Sequence, residues 1–127
     1  MDGMGSPTVL VVDDEPQVAW VLQFSLQAEG FETFTASDGI EALEQIGRHH
    51  PQLMVLDVMM PRMDGWTVLE ELRKLPDEDR PRVVMVTALT SSRDRDRATE
   101  LGAAAYVPKP FDVTELVGVL RDLQPVG

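Results

Sequence analysis

Fifteen residues, Pro51 to Gly65, constrain the fold of this chain more than any others. Leu53 to Leu56 have strand character and are apolar at every position, so both faces of that strand need cover. A strand of this kind belongs at the centre of a parallel sheet with helices on each side. It runs directly into Asp57, which places one carboxylate at the strand's carboxyl end, where open α/β sheets bind their ligands. Pro61, Asp64 and Gly65 then force a turn, and Asp64 reads as the cap of the helix that follows, with no chemistry of its own.

The remaining segments supply the strands and helices such a sheet requires. Thr8–Val12 is a β-branched strand ending in Asp13, Asp14 and Glu15, and Pro16 suits the first turn of a helix. That helix is expected to run to about Glu29, stop at Gly30, and bury Val18, Val21, Leu22, Ser25 and Leu26. Phe31–Ala36 reads as a second strand, and Ser37-Asp38-Gly39 turns into a helix carrying Ile40, Leu43 and Ile46 and closed by His49, His50 and Pro51. Trp66–Leu75 is expected to be helical, with Val68, Leu69, Leu72 and Leu75 inward, and Pro76–Pro81 to be a loop. Val83–Val86 forms a fourth strand ending at Thr87. Arg93–Leu101 is a helix with only Ala98 and Leu101 as apolar members, Ala104–Val107 a short fifth strand, and Val113–Leu123 the last helix. Regular βα alternation with short connections implies right-handed crossovers and a doubly wound parallel sheet. The domain is expected to span 8–123, with 1–7 a disordered lead-in and 124–127 a tail.

Composition narrows the function. Among 127 residues there is no cysteine, which excludes disulfides and thiolate metal sites and favours a reducing compartment. No stretch has the length of a membrane span or a secretory h-region, so a soluble, cytoplasmic protein without membrane insertion is expected. The net charge of −11, from 22 acidic against 11 basic residues, disfavours direct nucleic-acid binding and suits encounters with cations or basic protein surfaces. Lys74 and Lys109 are the chain's two lysines; a lysine in an arginine-rich background offers a compact point charge.

In a parallel sheet the strand ends gather on one edge: Asp13 and Asp14, Asp57, Thr87 and, just past the fifth strand, Lys109. Three clustered carboxylates raise one another's pKa unless a cation offsets them. Oxygen donors without His or Cys suit a hard cation, and few protein ligands suit Mg²⁺. A carboxylate beside Mg²⁺, an ammonium and a hydroxyl is equipped to accept a phosphoryl group, with Asp57 as the nucleophile.

At these positions the chain resembles the receiver domains of two-component response regulators. The resemblance rests on Val-Val-Asp-Asp-Glu (11–15), Leu-Asp-Val-Met-Met-Pro-Arg-Met-Asp-Gly (56–65), Val-Thr-Ala (86–88) and Tyr-Val-Pro-Lys-Pro-Phe (106–111), in the right order at the right strand ends, and covers about Thr8 to Leu123. It implies a flavodoxin-like fold of five parallel strands in the order 2-1-3-4-5 flanked by five helices. It implies phosphorylation of Asp57 by a histidine kinase or histidine phosphotransfer protein. Asp14, Asp57 and the Met59 carbonyl would ligate Mg²⁺, Asp13 would hold a metal-bound water, and Mn²⁺ could substitute. Thr87 and Lys109 would contact the phosphoryl group, and Tyr106 would act as an aromatic switch. The Lys109–Pro110 bond is expected to be cis. The fourth helix, fifth strand and fifth helix would form the face that changes and reaches a downstream protein effector. Such a protein assists its own phosphorylation and slow autodephosphorylation but is not a turnover enzyme.

Other features refine that picture. Trp20 and Phe24, four residues apart and nearly opposite the buried stripe of the first helix, suggest a partner surface where histidine-containing partners dock in this family, or else local packing. Met59 and Leu89 lie two residues beyond Asp57 and Thr87, where apolar side chains should hinder an in-line water and prolong the phosphorylated state. Met59, Met60 and Met63 otherwise read as loop packing, and His49 and His50 as a solvated helix end. Ala104 and Ala105 make a dimer built on charged pairs less favoured, so a monomer or weak phosphorylation-dependent dimer is expected. No output domain follows Leu123, so the chain reads as a stand-alone receiver or one excised from a larger protein. Two other functions fit the fold class. A phosphatase using an aspartyl phosphate needs a second acid two residues past the nucleophile, where Met59 stands. A flavin module needs an uncharged phosphate loop where Asp13, Asp14 and Glu15 stand.

Overall fold

The computed structural model describes residues 6–124. The elements are β1 (Thr8–Val12), α1 (Pro16–Ala28), β2 (Glu32–Ala36), α2 (Gly39–His49), β3 (Leu53–Leu56), α3 (Gly65–Leu72), β4 (Arg82–Thr87), α4 (Ser92–Glu100), β5 (Ala105–Pro108) and α5 (Val113–Leu123), with a 3₁₀ turn at Asp77–Asp79 before β4. All five strands are parallel, in the order β2-β1-β3-β4-β5. Most of the lead-in and of the tail expected from sequence, residues 1–5 and 125–127, lies outside the described residues.

Two apolar layers cover the sheet, and the strand period of two divides the side chains between them. Leu10, Val12, Met54, Leu56, Val83 and Met85 pack against α2, α3 and α4. Val9, Val11, Leu53, Val55, Val84, Val86 and Val107 pack against α1 and α5. Since β1 has β2 on one side and β3 on the other, the chain winds outward in both directions and leaves a crevice at the carboxyl ends of β1 and β3. That edge carries the site.

Side-chain caps start most of the helices. Asp38 accepts from the Glu41 amide, Asp64 from Thr67, Ser91 from Asp94 and Asp112 from Thr114. In α1 the proline stands at the first position and no side chain caps.

Several sequence expectations shift. In α1 the buried stripe is Ala19, Leu22 and Leu26, while Val21 is exposed and Val18 and Ser25 are half-buried. The helix turns Ala19 toward the sheet, and a small residue there lets the helix approach closely. In α2, Ala42 takes the inward place expected of Ile40, which is exposed. Helix α3 stops at Leu72 rather than Leu75, because the next turn tightens to i→i−3 bonds from Lys74 and Leu75. Arg80 then takes the carbonyls of Arg73 and Leu75, both at 2.8 Å. Helix α4 has Ala98 as its buried residue. Among the described residues no helix is long and apolar enough to cross a membrane.

Candidate functional site

The ladder of the sheet extends one residue past the strand ends and fixes three backbones of the site. The Asp13 amide donates to the Ala36 carbonyl at 3.1 Å, Asp57 to Val12 at 3.2 Å, and Lys109 to Thr87 at 2.8 Å. Each side chain therefore leaves a backbone tied to a neighbouring strand, the kind of support a site needs to hold its geometry.

Asp13, Asp14 and Asp57 bring one carboxylate oxygen each to within 4.8 Å of one another. Asp13 and Asp57 are buried, and Asp14 is exposed at the mouth. Lys109 reaches into the group from the far side of the sheet, its Nζ 3.1 Å from Asp57 Oδ2 and 3.4 Å from Asp13 Oδ2. The other oxygens meet backbone donors: Asp13 Oδ1 accepts from the Glu15 amide at 2.9 Å and Asp57 Oδ1 from the Met59 amide at 3.3 Å. Three carboxylates with no nitrogen or sulfur donor form a set that fits one hard divalent cation.

Burial pushes the Asp57 carboxyl above the usual carboxylate range, and neighbouring Asp13 adds to this, while Lys109 opposes it. Burial alone would lower Lys109, but Asp57 and Asp13 together outweigh it and hold the ammonium above its ordinary value. Lys109 is thus a fixed positive charge.

Thr87 is wholly buried at the end of β4, and its Oγ1 accepts from the Leu89 amide at 3.2 Å. Tyr106, half-buried on β5, donates its hydroxyl to the Leu89 carbonyl. The guanidinium of Arg95 on α4 lies 5.0 Å from the Tyr106 ring centroid, and that of Arg97 lies 4.5 Å from the ring of Trp66 on α3. The Lys109–Pro110 peptide is cis.

Met59 departs from its expected packing role. Its side chain is 66 % exposed, while Met60 is buried and Met63 packs on the core. Trp20 and Phe24 are 63 % and 62 % exposed and stack on each other with ring centroids 5.5 Å apart. Trp20 also lines a groove of about 270 Å³ that opens beside Asp13 and passes Pro16 and Ala19. Trp20 therefore adjoins the acidic edge, while Phe24, one turn on, lines a separate groove with Ala28 and Val117. His49 and His50 end α2 at the opposite edge of the sheet, where His49 stacks on Phe34 at 4.0 Å.

Sequence reasoning missed one pair at the acidic edge. Arg62, in the loop after β3, binds Asp38, in the loop after β2. Twenty-four positions separate them, and nothing local in the sequence links them. The two cation–π contacts of α4 were equally hidden, because the alternating Arg-Asp run reads as a solvated face.

A family model described as "Response regulator receiver domain" matches residues 9–121. A "Probable transcriptional regulator ycf27" from Cyanophora paradoxa is 48 % identical over 115 residues, covering 91 % of this chain and 47 % of the relative. The chain spans about half the length of the curated relatives it matches. Among solved structures, the receiver domain of the Francisella response regulator 1452 superposes with a TM-score of 0.86 at 33 % identity, covering 92 % of this chain and 95 % of that one. The chemotaxis protein CheY4 of Vibrio cholerae gives a TM-score of 0.87 at 28 % identity, covering 94 % and 99 %.

Proposed function

The chain belongs to the response regulator receiver domain family of two-component signalling, and from that membership we propose a phosphorylation-controlled switch whose acceptor is Asp57. One observation carries the assignment: Lys109 Nζ sits 3.1 Å from Asp57 Oδ2 inside a group of three carboxylates, so the residue to be phosphorylated is already paired with a fixed cation.

A carboxylate oxygen of Asp57 attacks phosphorus in a phosphohistidine, the N–P bond breaks, an O–P bond forms, and the imidazole leaves. Asp57 reacts in its ionised form, and Lys109 works against the burial that favours a proton there. The same ammonium then faces a phosphoryl oxygen. Asp14, Asp57 and the Met59 carbonyl would hold Mg²⁺ directly and Asp13 through a water, with Mn²⁺ able to substitute; the bound ion supplies positive charge against the phosphoryl oxygens. Thr87 Oγ1 accepts from the Leu89 amide and keeps its hydroxyl proton to donate to a phosphoryl oxygen.

The donor is a histidine kinase or histidine phosphotransfer protein, and the Trp20–Phe24 stack, which meets the acidic edge at Trp20, suits the docking of such a partner. The output leaves through α4, β5 and α5 toward a downstream protein effector. With Met59 and Leu89 beside the site, autodephosphorylation is slow; a purified phosphoprotein that loses its phosphoryl group within seconds contradicts this. A phosphatase reading is disfavoured, because the position of its second acid holds Met59. Labelling by a small-molecule phosphodonor tests the reading: it requires Mg²⁺ and stops on chelation, and chelator-insensitive labelling overturns the metal assignment.

A further inference from the structure

The loop from Val58 to Asp64 is held in an unusual shape. The Met63 amide donates to the Pro61 carbonyl at 2.7 Å, closing a three-residue turn around Arg62, whose φ is 65°. A γ-turn with positive φ is rare and strained, most of all for a residue with a Cβ. Glycine would adopt it freely, yet arginine stands here.

The neighbouring loop supplies the restraint. Arg62 Nε donates to Asp38 Oδ2 at 2.8 Å, and Nη2 donates to the same oxygen. Asp38 Oδ1 is already taken by the Glu41 amide at 2.9 Å, so one buried carboxylate both caps α2 and grips Arg62. Beside this pair the Gly39 amide donates to the Met63 carbonyl at 3.2 Å, and a Cβ at Gly39 would lie 2.6 Å from that oxygen. At the base of the loop the Gly65 amide donates to the Val58 carbonyl at 2.8 Å. Met59 lies between these ties.

We propose that the Arg62–Asp38 pair is a positioning clamp for the divalent-cation site: it holds the strained turn closed and so sets where the Met59 backbone stands. Arg62 is not a ligand and acts through the loop. The inference rests on the metal reading above and extends it to two residues outside the acidic cluster.

Charge alone and the clamp make opposite forecasts. Removing a positive charge from the same end of the sheet should, by Coulomb's law, tighten Mg²⁺ binding. Releasing the loop should weaken it, by roughly threefold to tenfold for a partly exposed pair that supports a ligand. Calorimetric titration of the whole chain with Mg²⁺ decides, using wild type, Arg62→Ala, Arg62→Gly, Asp38→Asn and the Arg62→Ala/Asp38→Asn double variant, with thermal unfolding recorded for each. Arg62→Ala binds more weakly than wild type. Arg62→Gly loses less, since glycine keeps the turn without strain. Asp38→Asn, which still caps α2, loses about as much as Arg62→Ala. The double variant is no worse than either single one. Arg62→Ala binding as tightly as wild type or tighter overturns the clamp, as do additive losses in the double variant. If Arg62→Ala does not fold, Arg62→Lys replaces it: the lysine keeps the charge but cannot set two N–H groups on one oxygen, so it too binds more weakly, and wild-type affinity overturns the clamp. A wild-type chain that takes up no Mg²⁺ overturns the metal reading and the clamp with it, whereas wild-type binding unchanged by Arg62→Ala overturns the clamp alone.

Discussion

The Tyr106 hydroxyl donates to the carbonyl of Leu89, the same residue whose amide donates to Thr87 Oγ1. One loop residue thus joins the buried hydroxyl at the site to the aromatic ring on β5. On the proposed reading, a Thr87 that turns toward a phosphoryl group moves the acceptor of the Leu89 amide and, with it, the anchor of Tyr106. Tyr106→Phe is expected to cost about 0.5–1.5 kcal/mol of stability, the net worth of an ordinary hydrogen bond, while phosphoryl acceptance continues. Denaturant unfolding and labelling measure the two effects. A variant that cannot be labelled although folded contradicts the separation of acceptor from relay.

Helix α4 buries only Ala98, is capped by Ser91, and lays Arg95 and Arg97 over aromatic rings. Arg97→Ala removes the contact with Trp66, worth roughly 0.5–1 kcal/mol at an exposed site. Amide exchange within Ser92–Glu100 should quicken by about twofold to fivefold. Unchanged protection would mean that Ala98 and the Ser91 cap suffice to hold the helix.

The Asp38 carboxyl is held below its ordinary range, first by the Glu41 amide and then by Arg62. A depressed pKa stabilises the fold fully above the unfolded value, near 4, and the contribution is lost as pH falls through the folded value. Asp38→Asn should therefore be less stable than wild type at neutral pH, with the gap closing as unfolding is followed below the unfolded carboxylate pKa of about 4. A gap that stays constant across that range contradicts the pairing.

Trp20 is exposed, so Trp20→Ala should change stability by no more than about 0.5 kcal/mol. As one half of a docking pair it should slow transfer from the phosphohistidine partner by about fivefold, the effect of a modest interface hot spot. Labelling by a small-molecule donor stays as it was. Equal loss with both donors places the defect in the site rather than at the surface.

Much of this was legible in the sequence for physical reasons that can be named. The apolar run Leu53–Leu56 demanded cover on both faces, and the turn chemistry at Gly30 and Asp64 marked element ends. Asp13, Asp14, Asp57, Thr87 and Lys109 share an edge because parallel strands put their carboxyl ends together. What periodicity misjudged was the choice of inward residue where helices meet the sheet closely: Ala19 and Ala42 displaced the larger Val21 and Ile40. Pairs joined only by tertiary approach, such as Asp38 with Arg62 and Trp66 with Arg97, leave no local pattern to read.

On the proposed reading Asp57 takes the phosphoryl group with the help of its neighbours. Labelling of wild type, Asp57→Asn and Lys109→Ala with the same phosphodonor and Mg²⁺ tests it most directly, with the modified residue located by peptide mass analysis. Wild type is expected to carry a label on the peptide containing Asp57 that alkali or hydroxylamine removes, Asp57→Asn none, and Lys109→Ala to label at a much reduced rate. Full labelling of folded Asp57→Asn would contradict it.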